Sequence, residues 1–439
     1  MKYLLTRPEK LGQTVVLPAS KSISNRALIL HALSGADNES LHNVSNCDDT
    51  FVMRRALDLL GAEHATAVKP GADTTVPTID IMAAGTSMRF LTALLSATPG
   101  CHIITGSERM RHRPIGVLTD ALRRLGASIS YEAGEGFPPL RIEGRKLRGG
   151  RLDIPGSISS QYISALLMIA PLMAEGLELH LTGQVISRPY IRMTVEMMRQ
   201  YGADIHWSGN RTLHVAPRPY TPVPYYIEAD WTAASYWFEM IALRQQPTDK
   251  IVLPQLFSRS LQGDAEVRHV FRLLGVRSWF GTTASGETAL HLGYSPTPCA
   301  RLDYDFSRIP DLAQTVVVTC ALRGIPFRLT GLQTLKIKET DRIEALRTEL
   351  RKWGINIEAE DDSILYWDGP ALQRHGDIAY LKPAAGTAID TYDDHRMAMS
   401  FAPAAVCIDG VAINNPEVVS KSYPHYWDDL RAVGFGISE

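Results

Sequence analysis

The chain has 439 residues, too many for one hydrophobic core and enough for two domains or more. Its 45 basic and 47 acidic residues leave a formal net charge of -2, so no overall basic field argues for nucleic acid or an anionic membrane, and any anion must be held by cations clustered locally. Five scattered cysteines without a CxxC pair, no signal-peptide core in MKYLLTRPEK and no apolar run long enough to span a bilayer point to a cytoplasmic protein with free thiols and no zinc site.

Two kinds of helix alternate along the chain. One kind opens on small or polar residues and continues apolar nearly all round, which predicts burial. ASKSISNRALILHAL starts near Ala19, AAGTSMRFLTALL near Ala83 and GSISSQYISALLMIA near Gly156. EADWTAASYWFEMIAL starts near Glu228, IPDLAQTVVVTCAL near Ile309 and TYDDHRMAMSFAPAAV near Thr391. The other kind is amphipathic and ends at Gly61, Gly126, Gly202, Gly275, Gly354 and Gly434, where a left-handed helix cap is expected. These glycines recur about every 65 to 80 residues, a repeat period. Short alternating pieces near Leu213, Leu290, Phe327 and Ile364 read as strands. Each unit is then strand, buried helix, strand, outer helix, strand, strand. Six such βαβαββ units predict an α/β protein of two pseudo-symmetric halves, with a boundary near the proline-rich stretch Pro217–Pro224. The pattern does not set strand order.

A buried helix that starts in a polar loop points its positive dipole end and free N–H groups at that loop. Several such starts carry cations or hydroxyls. The first has Lys21, Ser22 and Arg26, the second Gly85, Thr86 and Arg89, and the third Ser157, Ser159, Ser160 and Gln161. The fifth has Asp311, and the sixth Asp394, His395 and Arg396. Arg109, Arg111 and Arg113 crowd a loop before an outer helix, Ser187 and Arg188 precede another, and Lys421 precedes the last. A single serine or threonine at such a place is usually just a cap, so the weight lies in the recurrence. Asp393-Asp394-His395 lacks a second histidine cluster with metal-ligand spacing, GxSxG is absent, and so are the GxGxxG and GxxxxGK[ST] loops.

The densest stretch is Lys336–Arg342, KIKETDR, followed by the helical pattern IEALRTELRKW. Thr340 or Asp341 is the expected cap, and Lys338 and Arg342, four apart, are expected on one helical face beside Glu339. Two cations beside a carboxylate at a helix start suit a phosphorylated substrate and a proton transfer.

Taken in order, KSISNRAL, AGTSMR, RMRHRPIG, GSISSQ, ISRPYI, IPD, KETDR, DDHRMAM and KSYP resemble the motifs of the 5-enolpyruvylshikimate-3-phosphate synthase family, nearly end to end. The resemblance implies the enolpyruvyl transferase-like, inside-out α/β fold: one domain of residues 18–228, a second of 1–17 with 229–439, and an active site in the cleft between them. It implies transfer of the carboxyvinyl group of phosphoenolpyruvate to the 5-hydroxyl of shikimate 3-phosphate, with release of phosphate and with no metal or organic cofactor. The implied partners are these two small molecules, with no nucleic acid and no membrane, and the protein is expected to be a monomer.

By motif match, Lys21, Ser22, Arg26, Ser159, Ser160, Gln161, Ser187, Asp311 and Lys338 are expected on shikimate 3-phosphate. Lys21, Gly85, Arg113, Gln161, Arg342, Arg396 and Lys421 are expected on phosphoenolpyruvate. Asp311 matches the proton acceptor, Glu339 the proton donor, and Lys21 and His395 stand near the reacting atoms. Two positions depart from the family: Ala83 replaces a common asparagine, and so does Thr334. The sister enzymes that use UDP-N-acetylglucosamine usually carry a cysteine in the loop matching Thr105–Pro114, and this loop has none. A non-catalytic anion binder is disfavoured by Asp311 and Glu339, because carboxylates repel an anion unless they move protons.

Overall fold

A computed structural model describes residues 1–65, 76–283, 285–370 and 387–439. The expected buried helices form at Lys21–Ser34, Gly85–Ala97, Ser160–Ile169, Trp231–Arg244, Ala313–Arg323 and His395–Phe401. Their apolar residues face partners all round: in Trp231–Arg244 every residue but Arg244 is buried. The amphipathic helices are Asp48–Ala65, Gly116–Arg124, Arg188–Gln200, Val267–Leu273, Arg342–Arg351 and Tyr426–Ala432.

Five of the six expected cap glycines, Gly126, Gly202, Gly275, Gly354 and Gly434, have positive φ. Gly61 does not fit: it lies inside the helix Asp48–Ala65, which runs on for another turn. A glycine after an apolar run marks a cap only where the chain then turns, and here helical backbone bonding continues.

The chain divides into two compact units. A central unit comprises Ala19–Ile227, and a terminal unit comprises Met1–Pro18 with Glu228–Glu439. The proline-rich stretch 217–224 lies inside the central unit, just before its end.

Strand order follows one rule. In the sheet of Thr78–Asp80, Gly100–Thr105, Ser128–Tyr131 and Leu140–Gly144, the first two strands are parallel. The fourth lies between the second and third, antiparallel to both. A parallel pair needs a crossover, and the buried helix Gly85–Ala97 supplies it; the last two strands form a hairpin. The sheets beginning at Gly150 and Leu302 repeat this order.

In the terminal unit the N-terminal segment completes two sheets. Gly12–Thr14 is the first strand beside Lys250–Pro254. Lys2–Thr6 takes the fourth-strand place between Val411–Asn414 and Gly436–Ser438. The first repeat of the central unit is represented among the described residues by Leu41–His42 paired in parallel with Tyr225–Tyr226. Trp231, Trp237, Phe238, Phe271, Phe306 and Phe327 belong to one continuous apolar cluster of the terminal unit. Truncating one such side chain would cost about 3–5 kcal/mol. No helix among the described residues is long and apolar enough to cross a membrane.

Candidate active site

In the terminal unit the helix Arg342–Arg351 starts after Asp341, whose Oδ1 accepts the backbone N–H of Glu344 at 3.2 Å. Lys338 therefore lies before the helix, ending the turn Leu335–Ile337, and does not share a helical face with Arg342 as the spacing suggested. The two meet at an atom instead. Oδ1 of Asp311 lies 3.4 Å from Nζ of Lys338 and 3.2 Å from Nη1 of Arg342. Its Oδ2 accepts from Nη2 of Arg396 at 3.1 Å.

Asp311 stands on the turn Pro310–Leu312 that leads into the buried helix Ala313–Arg323. Burial works against its charge, but Arg396, Lys338 and Arg342 together outweigh burial and hold its carboxyl well below the usual range.

Arg342 is closed to solvent and engages three carboxylates. Nε donates to Oδ2 of Asp394 at 2.7 Å, Nη1 to Asp311, and Nη2 to Glu339 at 2.9 Å and to Oδ1 of Asp394 at 3.2 Å. Burial opposes this charge too, and Asp394 and Glu339 more than restore it. The other oxygen of Glu339 lies 3.1 Å from Nζ of Lys421. Asp394 also caps the helix His395–Phe401, with Oδ1 accepting from the N–H of Arg396 at 2.9 Å. The buried ring of His395 has Nδ1 3.7 Å from Oδ1 of Asp394. The terminal unit thus brings Asp311, Lys338, Glu339, Arg342, Arg396 and Lys421 into one lattice of alternating charge. Arg342 and Asp394 form its closed floor, while Asp311, Glu339, Lys338 and Lys421 keep solvent-facing edges.

In the central unit Lys21 opens the helix Lys21–Ser34, capped by Ser20, and its Nζ lies 3.3 Å from Oδ2 of Asp49. Arg26 is buried on the same helix. It donates Nε to Oγ1 of Thr194 at 2.7 Å, Nη1 to the carbonyl of Ser22 at 2.8 Å and Nη2 to Oγ of Ser164 at 3.1 Å. Its guanidinium lies over Phe90. These polar partners are neutral, and burial pulls its pKa down to about 10, so an incoming anion would find a charge that its surroundings do not balance.

Gly85 is the first residue of its helix, behind Ala84, which provides no side-chain cap. A methyl group at Gly85 would lie 2.8 Å from Nη1 of Arg113 and 3.0 Å from Nη1 of Arg89, so these guanidinium groups flank this helix start. Of the loop arginines, Arg113 is brought here, while Arg109 and Arg111 are exposed and Arg111 donates to the carbonyl of Gly106. Gln161 donates Nε2 to Oγ1 of Thr86 at 3.1 Å, tying this start to that of the helix Ser160–Ile169. Ser159 caps the latter helix, accepting from the N–H of Gln161, and Ser160 is buried. Ser187 precedes the helix Arg188–Gln200 with φ 50°, a left-handed conformation unusual outside glycine. That helix carries Thr194, which holds Arg26. Of the two family departures, Ala83 precedes the uncapped start at Gly85, and Thr334 has a buried Oγ1 without a hydrogen-bond partner among the described residues.

No motif in the sequence marks Asp49, Ser164 or Thr194 as a site residue, nor gives the side chain of Asp394 its partner. Only Asp394 had a signal, its place between Asp393 and His395 in a charged helix start; the others depend on which helices pack together.

The match to the EPSP synthase (3-phosphoshikimate 1-carboxyvinyltransferase) family spans residues 5–430. A protein of Bacteroides fragilis (strain YCH46) named 3-phosphoshikimate 1-carboxyvinyltransferase is 53% identical over 437 residues, covering 100% of this chain and 99% of its own. One of the same name from Aliivibrio salmonicida is 34% identical over 446 residues, covering 98% of this chain and 99% of its own. A solved EPSP synthase of Acinetobacter baumannii superposes with a TM-score of 0.75 at 20% identity, covering both chains fully, and so shares the fold. With this full-length similarity and this architecture, the chain belongs to the EPSP synthase (3-phosphoshikimate 1-carboxyvinyltransferase) family.

Proposed function

We propose that the protein transfers the carboxyvinyl group of phosphoenolpyruvate to the 5-hydroxyl of shikimate 3-phosphate and releases phosphate, a step toward chorismate and the aromatic amino acids. The observation that carries this reading is Asp311, a carboxylate kept ionised by Arg396, Lys338 and Arg342, with Glu339 on the same Arg342. The relatives' names support it.

Addition to the enol phosphate begins when C3 of phosphoenolpyruvate gains a proton and C2 becomes electrophilic. The attacking hydroxyl loses its proton, and the tetrahedral ketal then expels phosphate as C3 gives up a proton, restoring the C2–C3 double bond. Asp311 is the acceptor for the hydroxyl proton and Glu339 the donor to C3. Each such transfer contributes about 10²–10⁴-fold. The cations that hold Asp311 low make it a weak base. Substrate carboxylate and phosphate groups compete for those cations, so Asp311 gains proton affinity when both substrates are bound.

Lys338 and Asp311 belong to the acceptor's side of the reaction, while Arg342, Arg396 and Lys421 receive phosphoenolpyruvate. From the central unit, Lys21, Ser22, Arg26, Ser159, Ser160, Gln161 and Ser187 serve shikimate 3-phosphate, and Lys21, Gly85, Arg113 and Gln161 serve phosphoenolpyruvate. His395 stands near the reacting centre. On this reading the protein is a cytoplasmic monomer acting on two small anions, without a metal or organic cofactor and without a nucleic acid or membrane partner.

The test is incubation with phosphoenolpyruvate and either shikimate 3-phosphate or UDP-N-acetylglucosamine, following phosphate release. Release with shikimate 3-phosphate alone is expected. Release only with the nucleotide sugar assigns the sister reaction, and binding of both ligands without turnover assigns a binding protein.

A further inference from the structure

The turn that delivers Asp394, His395 and Arg396 has an unusual backbone. Tyr392 and Asp393 are consecutive non-glycine residues with φ 53° and 54°. Such a pair suits a tight turn, as at the exposed Asp361 and Asp362, but a bulky tyrosine in it carries a cost that its surroundings must offset. The far end of the helix Arg342–Arg351 does that. Glu349, fully buried, accepts the hydroxyl of Tyr392 on Oε1 at 2.6 Å and the N–H of Asp390 on Oε2 at 3.0 Å. Lys352 lies 2.7 Å from Oε2 of Glu349 and 2.8 Å from Oδ2 of Asp390, and it donates to the carbonyl of Ala388 at 3.0 Å. Asn414, from the neighbouring strand, donates to the other oxygen of Asp390 at 2.7 Å.

One helix therefore grips this turn at two places. Arg342, in its first turn, holds Asp394, and Glu349, in its last, holds Asp390 and Tyr392. At 1.5 Å per residue the two grips are about 10 Å apart along the helix. Five residues of chain, Asp390 to Asp394, are thereby fixed at both ends, with Arg396 two residues beyond.

We propose that Glu349, through Tyr392, is a positioning residue for Arg396 and Asp394, and that it sets how well the site receives phosphoenolpyruvate. This rests on the proposed reaction. Glu349 stands two helical turns from Arg342 and acts only through the turn. Releasing Tyr392 lets the left-handed pair relax, and the peptide carrying Arg396 turns with it. Shikimate 3-phosphate shares Asp311 with Arg396 but is assigned mostly to side chains of the central unit, so its binding is expected to change less.

The experiment measures kcat and the KM of each substrate, with thermal melting, for the parent protein and for Glu349→Gln, Tyr392→Phe and Glu344→Gln. Glu344 is an exposed acid on the same helix, paired with Arg347; its charge also acts on Tyr392 but it makes no hydrogen bond to the turn among the described residues, so it is the control for loss of a charge alone. The expected result is a KM for phosphoenolpyruvate raised about tenfold in Glu349→Gln and about threefold in Tyr392→Phe. The KM for shikimate 3-phosphate stays within about twofold, and Glu344→Gln matches the parent. Tyr392→Phe removes only the hydroxyl of a residue about a third exposed and carries the test should Glu349→Gln fail to fold. Unchanged constants in folded Tyr392→Phe, or a parallel rise in both KM values, overturns the proposal. A parent protein without turnover is instead a failure of the proposed reaction, and the two failures are read in separate arms.

Discussion

Nε of Arg342 lies 2.7 Å from Oδ2 of Asp394, and both side chains are shut off from solvent. Removing one member of such a pair strands a buried charge, at a cost of about 3–5 kcal/mol. The pairing has a directional consequence. With Nε engaged by Asp394, the fork of Arg342 turns Nη1 toward Asp311 and Nη2 toward Glu339. The proposed base and the proposed acid are thus spaced by one rigid, planar group rather than by two flexible ones.

Replacing Asp311 by Asn keeps size and polarity and removes the proton acceptor. It also unbalances Arg396, Lys338 and Arg342, whose charge Asp311 offsets. A fall in kcat of about 10²–10⁴-fold is expected, with shikimate 3-phosphate still bound. Steady-state kinetics with a direct binding measurement checks this, and near-parent turnover in a folded Asp311→Asn protein would falsify the assignment.

Gly85→Ala tests the helix start flanked by arginines. The added methyl meets Nη1 of Arg113 at 2.8 Å, a flexible terminus that can move away. Folding should therefore survive, while Arg113 leaves the place proposed for phosphoenolpyruvate. A cost of about 1–3 kcal/mol corresponds to about 5- to 150-fold in affinity. The KM for phosphoenolpyruvate should rise, and the constant for shikimate 3-phosphate should barely move. If only the shikimate constant changes, Gly85 has no part in the phosphoenolpyruvate pocket.

Asp264 provides a pH test of stability. It is buried and accepts the hydroxyl of Thr232. Burial first, and Asp311 second, push its pKa up to about 6, against partial relief from Thr232 and Arg396. A carboxyl whose folded pKa is raised stabilises least when charged. Its contribution is intact below the unfolded value and is lost as pH rises through about 6. Asp264→Asn, which cannot ionise, should be more stable than the parent by about 1–3 kcal/mol at pH near 7.5, on the scale of 1.4 kcal/mol per pH unit. The gain should fall to about a third of that near pH 4.5 and toward zero near pH 3. Urea unfolding at the two pH values decides it, and a difference independent of pH sinks the assignment.

Local sequence determined the element types. Helices apolar all round, such as Trp231–Arg244, had to be covered on every side, and the alternating pieces at Phe327 and Ile364 could only half-bury themselves as strands. The left-handed glycines at 126, 202, 275, 354 and 434 were legible because a helix that ends in a turn needs a residue without Cβ there. Gly61 misled because the same residue inside a continuing helix leaves the same trace in sequence. Strand order was not legible, nor was the insertion of Lys2–Thr6 between strands more than 400 residues away in sequence, since any strand offers the same unpaired backbone groups to a neighbour. The candidate site divides the same way. The cations at helix starts are local features, because a dipole and a charge in one loop are written together. Which carboxylate each cation meets was decided only in three dimensions. Lys338 and Arg342 share Asp311 through a turn rather than a helical face, Lys21 finds Asp49, and Arg342 finds Asp394. Those choices depend on how helices pack, which the spacing of residues along one chain does not encode.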